Sequence, residues 1–199
     1  FTVNYSTTSG NISILANGAS SYHALQLGGG NITTTTGNVL IRGNHSGGNN
    51  GVYVVGASNI RSTTGDITIN GTASTGNGIQ FDSASSTIRS TSGNIALNGV
   101  TGNGGAWGLY YLGSEISSAG NISLTSDALM RVNANIYSYG AGNNLVIKSN
   151  GSIQNSAATQ TIQTNNGTLV LWANANGSTT AGRVLFDDSV ATLNTANGS

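Results

Sequence analysis

Eight side chains of this 199-residue chain have an acid–base or metal-ligating repertoire near neutral pH: Asp66, Asp82, Glu115, Asp127, Asp187, Asp188, His23 and His45. No Cys is present, which removes thiol catalysis, disulfides and Cys-based metal sites together. Glycoside cleavage by a carboxylate pair requires two acids facing one bond, and a Ca2+-assisted route requires several oxygens converging beside a base. Only Asp187 and Asp188 adjoin. Neighbours on a strand point to opposite faces; a loop would relax that rule, so this pair is the one weak catalytic candidate. His23 and His45 lack acidic companions at ligand spacing and read as exposed polar residues. No G-x-S-x-G, Walker loop or H-E-x-x-H occurs, and Gly28-Gly29-Gly30-Asn31 lacks the G-G-x-G-x-D form of calcium-binding repeats. The expectation is a protein without catalytic residues, metal or cofactor.

What remains is recognition chemistry, and its placement depends on a repeat. The phrase Ser/Thr-Gly-Asn/Asp-Ile/Val-x-Ile/Leu appears as Ser9-Gly10-Asn11-Ile12-Ser13-Ile14 and returns at Gly37, Gly65, Gly93 and Gly120. Looser copies stand at Gly142 and Gly167. Intervals between these glycines run from 22 to 28 residues, with Gly198 following 31 later. Period-two alternation makes one face of each phrase apolar. It predicts a buried ladder of Ile12, Val39, Ile67, Ile95, Ile122, Leu145 and Leu169. A second short strand sits mid-repeat at Leu25, Val52, Ile79 and Leu109, with later equivalents at Leu129, Ile153 and Val184. A third carries Ile32, Ile60, Ile88, Ile116, Ile136, Ile162 and Leu193. Two residues after each of these stands a hydroxyl: Thr34, Ser62, Ser90, Ser118, Ser138, Thr164 and Thr195.

Three short strands per turn-rich repeat describe one coil of a parallel β-helix, an all-β solenoid of about seven coils of about 27 residues, each strand pairing one repeat away. At an inter-strand spacing of about 4.8 Å the rod is roughly 34 Å long. Turn glycines are expected to supply positive φ, with Asn tolerating the left-handed conformation beside them. Stacked Asn side chains and the hydroxyl column should bond along the rod.

Within that frame Tyr53 and Tyr110 take the outward phase of the second strand, because Val52/Val54 and Leu109/Tyr111 take the inward one. Gln26 and Gln80 share the outward phase. With Trp107 close by, Tyr53, Gln80, Trp107 and Tyr110 form the candidate binding face for a sugar or a protein. Trp172 also points out. The outer faces of the first and third strands carry mostly Ser, Thr and Asn and offer little anchor area. Links from first to second strand are long at Arg42 to Asn50, Asn98 to Gly108 and Ala173 to Gly182. Such insertions often form the binding face of a solenoid. Asn44 and Asn176, in these links, are the candidate glycan acceptors.

Composition agrees with a rod. Gly, Asn, Ser and Thr exceed half of the chain, and charged residues are 6%, against roughly 25% in an average domain. Net charge is zero, so nothing electrostatic favours nucleic acid or anionic membrane as partner. Pro is absent, which argues against a Pro-rich linker. The chain begins on a third-strand sequence, with no cap at either end, and reads as one segment (1–199) inside a longer rod.

The repeat phrase, with its Asn/Ser/Thr/Gly spacers, resembles bacterial filamentous-haemagglutinin-like exoproteins, above all the high-molecular-weight adhesins of two-partner secretion. Autotransporter passengers and contact-dependent toxin stalks are similar. The likeness covers essentially the whole chain, although the family's amino-terminal secretion domain is not recognisable. It implies a right-handed β-helix, exported through an outer-membrane barrel transporter to the bacterial surface. It also implies a glycan or protein receptor and self-association into fibres. Lack of Cys suits threading through a barrel. Two other functions fit a β-helix: binding or degrading polysaccharide, and binding ice. The ice reading rests on Thr33 to Thr36, Ser62 to Thr64 and Ser90 to Ser92.

Overall fold

A computed structural model describes residues 4–103, 106–156, 159–177, 182–186 and 191–195. The acidic pair Asp187 and Asp188 lies outside the described residues. After β1 (Tyr5–Thr7), coil one holds β2 (Ile12–Gly18), β3 (Leu25–Leu27) and β4 (Gly30–Thr34). Coil two holds β5 (Val39–His45), β6 (Val52–Val54) and β7 (Ser58–Ser62); coil three holds β8 (Ile67–Ala73), β9 (Ile79–Phe81) and β10 (Thr87–Ser90). In coil four, β11 (Ile95–Thr101) precedes one long strand, β12 (Trp107–Ser118), that fills both later positions. Coil five repeats this with β13 (Ile122–Ser126) and β14 (Leu129–Ala141). Coil six comprises β15 (Leu145–Ser149), β16 (Ile153–Asn155) and β17 (Gln160–Asn165). Coil seven comprises β18 (Leu169–Trp172), β19 (Val184–Phe186) and β20 (Ala191–Asn194).

Among the described residues all strand pairings are parallel and run between coils. First strands make a seven-stranded sheet in the order β18-β15-β13-β11-β8-β5-β2. Second and third strands make a 13-stranded sheet, joined through β12 and β14. The chain is therefore a β-solenoid of about seven turns. The ladder runs in register as expected, Ile12 to Val39 to Ile67 to Ile95 to Ile122 to Leu145 to Leu169. Its five middle members are buried, and each contributes about 1.5–3 kcal/mol by leaving water. Ile12 and Leu169, at the two outer ranks, are half-buried. Opposite them, Phe81 and Tyr111 pack with ring centroids 4.9 Å apart. Burial pushes the Tyr111 phenol pKa far up, and its hydroxyl donates to the Ser86 and Glu115 carbonyls.

The hydroxyl column faces inward and bonds to backbone. Thr34, Ser62 and Ser90 donate to the carbonyls of Gly10, Gly37 and Gly65 in the preceding coil. The same hydroxyls accept the amides of Gly37, Gly65 and Gly93 in their own coil. Ser118 does the same between Gly93 and Gly120. Thr164 departs from the pattern and bonds its own coil's Gly167 carbonyl. Outside the corner runs a second ladder. The side-chain oxygens of Asn11, Asn38, Asp66, Asn94, Asn121 and Asn144 each accept the next coil's backbone amide. The role at Asp66 is that of acceptor, which an aspartate fills as well as an asparagine.

Three expectations change. Among the described repeat glycines only Gly142 has positive φ, and Asn166 and Asn174 take the left-handed conformation as expected of Asn, but Gly10, Gly37, Gly65, Gly93, Gly120 and Gly167 do not use positive φ. Gly65 is needed for close approach: a Cβ there would lie 2.1 Å from the Gly37 carbonyl. The long first-to-second links are partly strand, since β5, β8 and β11 continue well past the Ile-x-Ile core. They continue because Gly43, Gly71 and Gly99 let this strand lie against the start of the second one. A Cβ at Gly99 would sit 1.9 Å from the Gly108 carbonyl. Asn44 is consequently an exposed strand residue of β5, not a loop residue, whereas Asn176 is exposed in a turn. Finally, the second-strand partner of Leu109 is Met130, and Leu129 pairs with Trp107 across an irregularity in β12.

Candidate functional site

The outward column of the second strands reads Gln26, Tyr53, Gln80, Tyr110, Arg131, Gln154 and Leu185, in register from coil to coil. Tyr53, Gln80 and Tyr110 therefore share one face as expected. Trp107 joins them from the start of β12, and all four are half-buried. They divide into two groups with different chemistry.

Tyr53 and Gln80 belong to a polar network. The Tyr53 ring packs on His23 at 4.3 Å, and its hydroxyl donates to Asp82 at 2.8 Å. That hydrogen bond, then burial and the carboxylate charge, raises the Tyr53 pKa. Gln80 accepts from Asn50 and Asn77 and donates to Asp82. These residues rest on a third corner ladder. His23 Nδ1 accepts the Asn50 amide at 3.1 Å, Asn50 accepts that of Asn77, and Asn77 that of Trp107. His23 thus fills an asparagine position. Burial, with His45 nearby, lowers its pKa against the pull of Asp82.

Trp107 and Tyr110 form the second group. Their rings lie 5.7 Å apart, and the Arg131 guanidinium sits 5.2 Å from the Trp107 ring and 5.9 Å from that of Tyr110. A cation over two aromatic faces is attractive and holds all three side chains in one orientation. Arg131 Nε is buried without a hydrogen-bond partner. Arg131 is absent from the sequence expectation because the slip in β12 hides its alignment with Tyr110. Counting from Met130 instead of Leu129 would have found it.

His45 is 1% exposed, not a surface residue. Its Nδ1 accepts the Gly47 amide and its Nε2 faces the Ser20 carbonyl, so the ring fixes a turn. Asp127 accepts the Thr101 amide, and burial outweighs that bond to raise its pKa. Among the described residues no three His, Asp or Glu are grouped to hold a metal. Trp172 is 50% exposed with Lys148 over its ring at 4.8 Å. Thr34, Ser62 and Ser90 face inward, whereas Thr35, Thr36, Thr63, Thr64, Thr91 and Ser92 are exposed. The third-strand outer face is less bland than expected. It carries Arg61, Arg89, Tyr137 and Tyr139, the last two legible as the residues following Ile136 and Ser138.

Comparison with protein-family models, with curated proteins and with solved structures finds no match to this chain.

Proposed function

We propose that this chain is the shaft of an exported adhesive rod at the bacterial surface. Its contact face would be the outward second strands around Trp107, Tyr110 and Arg131. The carrying observation is the half-buried ring–ring–guanidinium cluster on the outward side of the parallel stack. Trp, Tyr and Arg are the residues that dominate binding hot spots, and half-burial before contact lowers the entropy lost on binding. The receptor in this reading is a host or surface glycan or protein, with no role for nucleic acid. Lack of Cys and a fold that grows coil by coil suit export through an outer-membrane barrel transporter. Parallel stacking also suits self-association into fibres.

The test is attachment of labelled protein to cell and abiotic surfaces. Tyr110→Ala and Trp107→Ala should each lose most attachment while keeping the β-sheet circular dichroism signal. Tyr53→Ala should lose less, because that ring is already engaged by His23 and Asp82. Undiminished attachment by the first two variants would make the segment a spacer.

A further inference from the structure

The outward column of the third strands reads Thr33, Arg61, Arg89, Ser117, Tyr137 and Gln163, in register. Rungs are about 4.8 Å apart, so the short Ser117 between Arg89 and Tyr137 leaves a notch one coil wide. Ser117 forms its floor and is 3% exposed.

One side of the notch is built by an insertion. In coil four the corner runs from Ser118 to the ladder residue Asn121, but in coil five it runs from Ser138 to Asn144. The extra length lets Tyr139 reach back across two coils, where its hydroxyl approaches the Ser90 and Thr91 carbonyls, each at 3.2 Å. The Tyr139 carbonyl in turn accepts from the Asn165 side-chain Nδ2 at 3.0 Å. Tyr139 is thus pinned at both ends yet 38% exposed. Together these residues flank an open cleft of about 420 Å3 whose lining includes Arg89, Glu115, Ser117, Tyr137, Tyr139 and Gln163. That volume lies within the roughly 300–1,000 Å3 of small-molecule sites.

Its chemistry selects a ligand class. Tyrosine rings offer stacking surface for an apolar C–H face. Arg89 supplies donors. Glu115 takes the Ser117 hydroxyl on Oε1, leaving Oε2 as an acceptor. Donor and acceptor of opposite charge in one cleft match vicinal hydroxyls, which both donate and accept. An acidic ligand would face the Glu115 carboxylate.

We propose that this cleft binds an uncharged oligosaccharide, with Tyr137 and Tyr139 as stacking platforms and Arg89 and Glu115 gripping ring hydroxyls. The proposal does not rest on the second-strand contact face.

The experiment is an array of neutral gluco-, galacto-, manno- and N-acetylhexosamine oligosaccharides with their sialylated and uronate counterparts. Calorimetry with the best neutral trisaccharide follows. Neutral members should bind. Tyr137→Ala, Arg89→Ala and Ser117→Tyr should each weaken binding by about tenfold or more, and Trp107→Ala should leave it unchanged. Ser117 is nearly fully covered, so Ser117→Tyr must displace its neighbours, whereas Arg89 is exposed and Tyr137 half-buried; circular dichroism checks each variant, and a folding defect in one leaves the others decisive. Binding of no member, binding of acidic members alone, or binding indifferent to the folded variants would overturn the proposal.

Discussion

The Ser90 hydroxyl donates to the Gly65 carbonyl of the preceding coil at 2.8 Å while accepting the Gly93 amide of its own coil at 2.9 Å. One buried atom thereby closes a turn and fastens two coils. Ser90→Ala strands a buried donor and acceptor, which costs about 1–3 kcal/mol and should lower the thermal midpoint by several degrees. Ser90→Thr should be tolerated, since Thr34 makes the same two bonds at the equivalent position. Equal midpoints for wild type and Ser90→Ala would show that the column is not structural.

Ile95 sits mid-ladder between Ile67 and Ile122 and is buried. Ile95→Asp should cost several kcal/mol or abolish folding, because a carboxylate would enter a dry stack. Leu15→Asp, on an exposed outer position, should change stability by no more than about 0.5 kcal/mol. Urea midpoints of the two variants make the comparison.

Asp66 receives both the backbone and side-chain amides of Asn94 on one oxygen. Asp66→Asn keeps that acceptor and should be nearly neutral. Asp66→Ala should lose about 1 kcal/mol of stability, measured by the same denaturation.

His23 gives the molecule an acid-sensitive corner. Its neutral ring accepts the Asn50 amide through Nδ1, and its folded pKa lies below the ordinary value near 6.5. A depressed value means that the unfolded chain takes up the proton first. The stability contributed by this group is fully present above about pH 6.5 and is lost as pH falls through the folded-state value. His23→Asn, which copies Asn50 and Asn77, should flatten the stability profile between pH 7.5 and 5. An unchanged slope would remove His23 from the account.

The strands and their inward phase were legible because a period of two within a fixed repeat leaves one register for Ile12, Val39, Ile67 and the isoleucines beyond. Tyr53 and Tyr110 were legible on the same ground. Glycine function was not: Gly65 and Gly99 permit backbone approach between coils or strands, a distance that local sequence does not encode. Met130 displaced Leu129 through a one-residue slip in β12, where two adjacent apolar residues make either phase plausible. The contact of Tyr139 with Ser90 and Thr91 spans 49 and 48 residues and follows from a corner three residues longer than its neighbour. His45 looked exposed because a lone histidine among Gly and Ser carries no burial signal, yet its two nitrogens satisfy a turn.

The proposed contact face is tested most directly by an attachment cycle on wild type, Trp107→Ala, Arg131→Gln and the double variant, with folding followed by circular dichroism. If ring and guanidinium act as one unit, each single change loses most attachment and the double change is scarcely worse than the weaker single, a non-additive pattern. Equal attachment by all four folded proteins would contradict it and assign contact to another part of the rod.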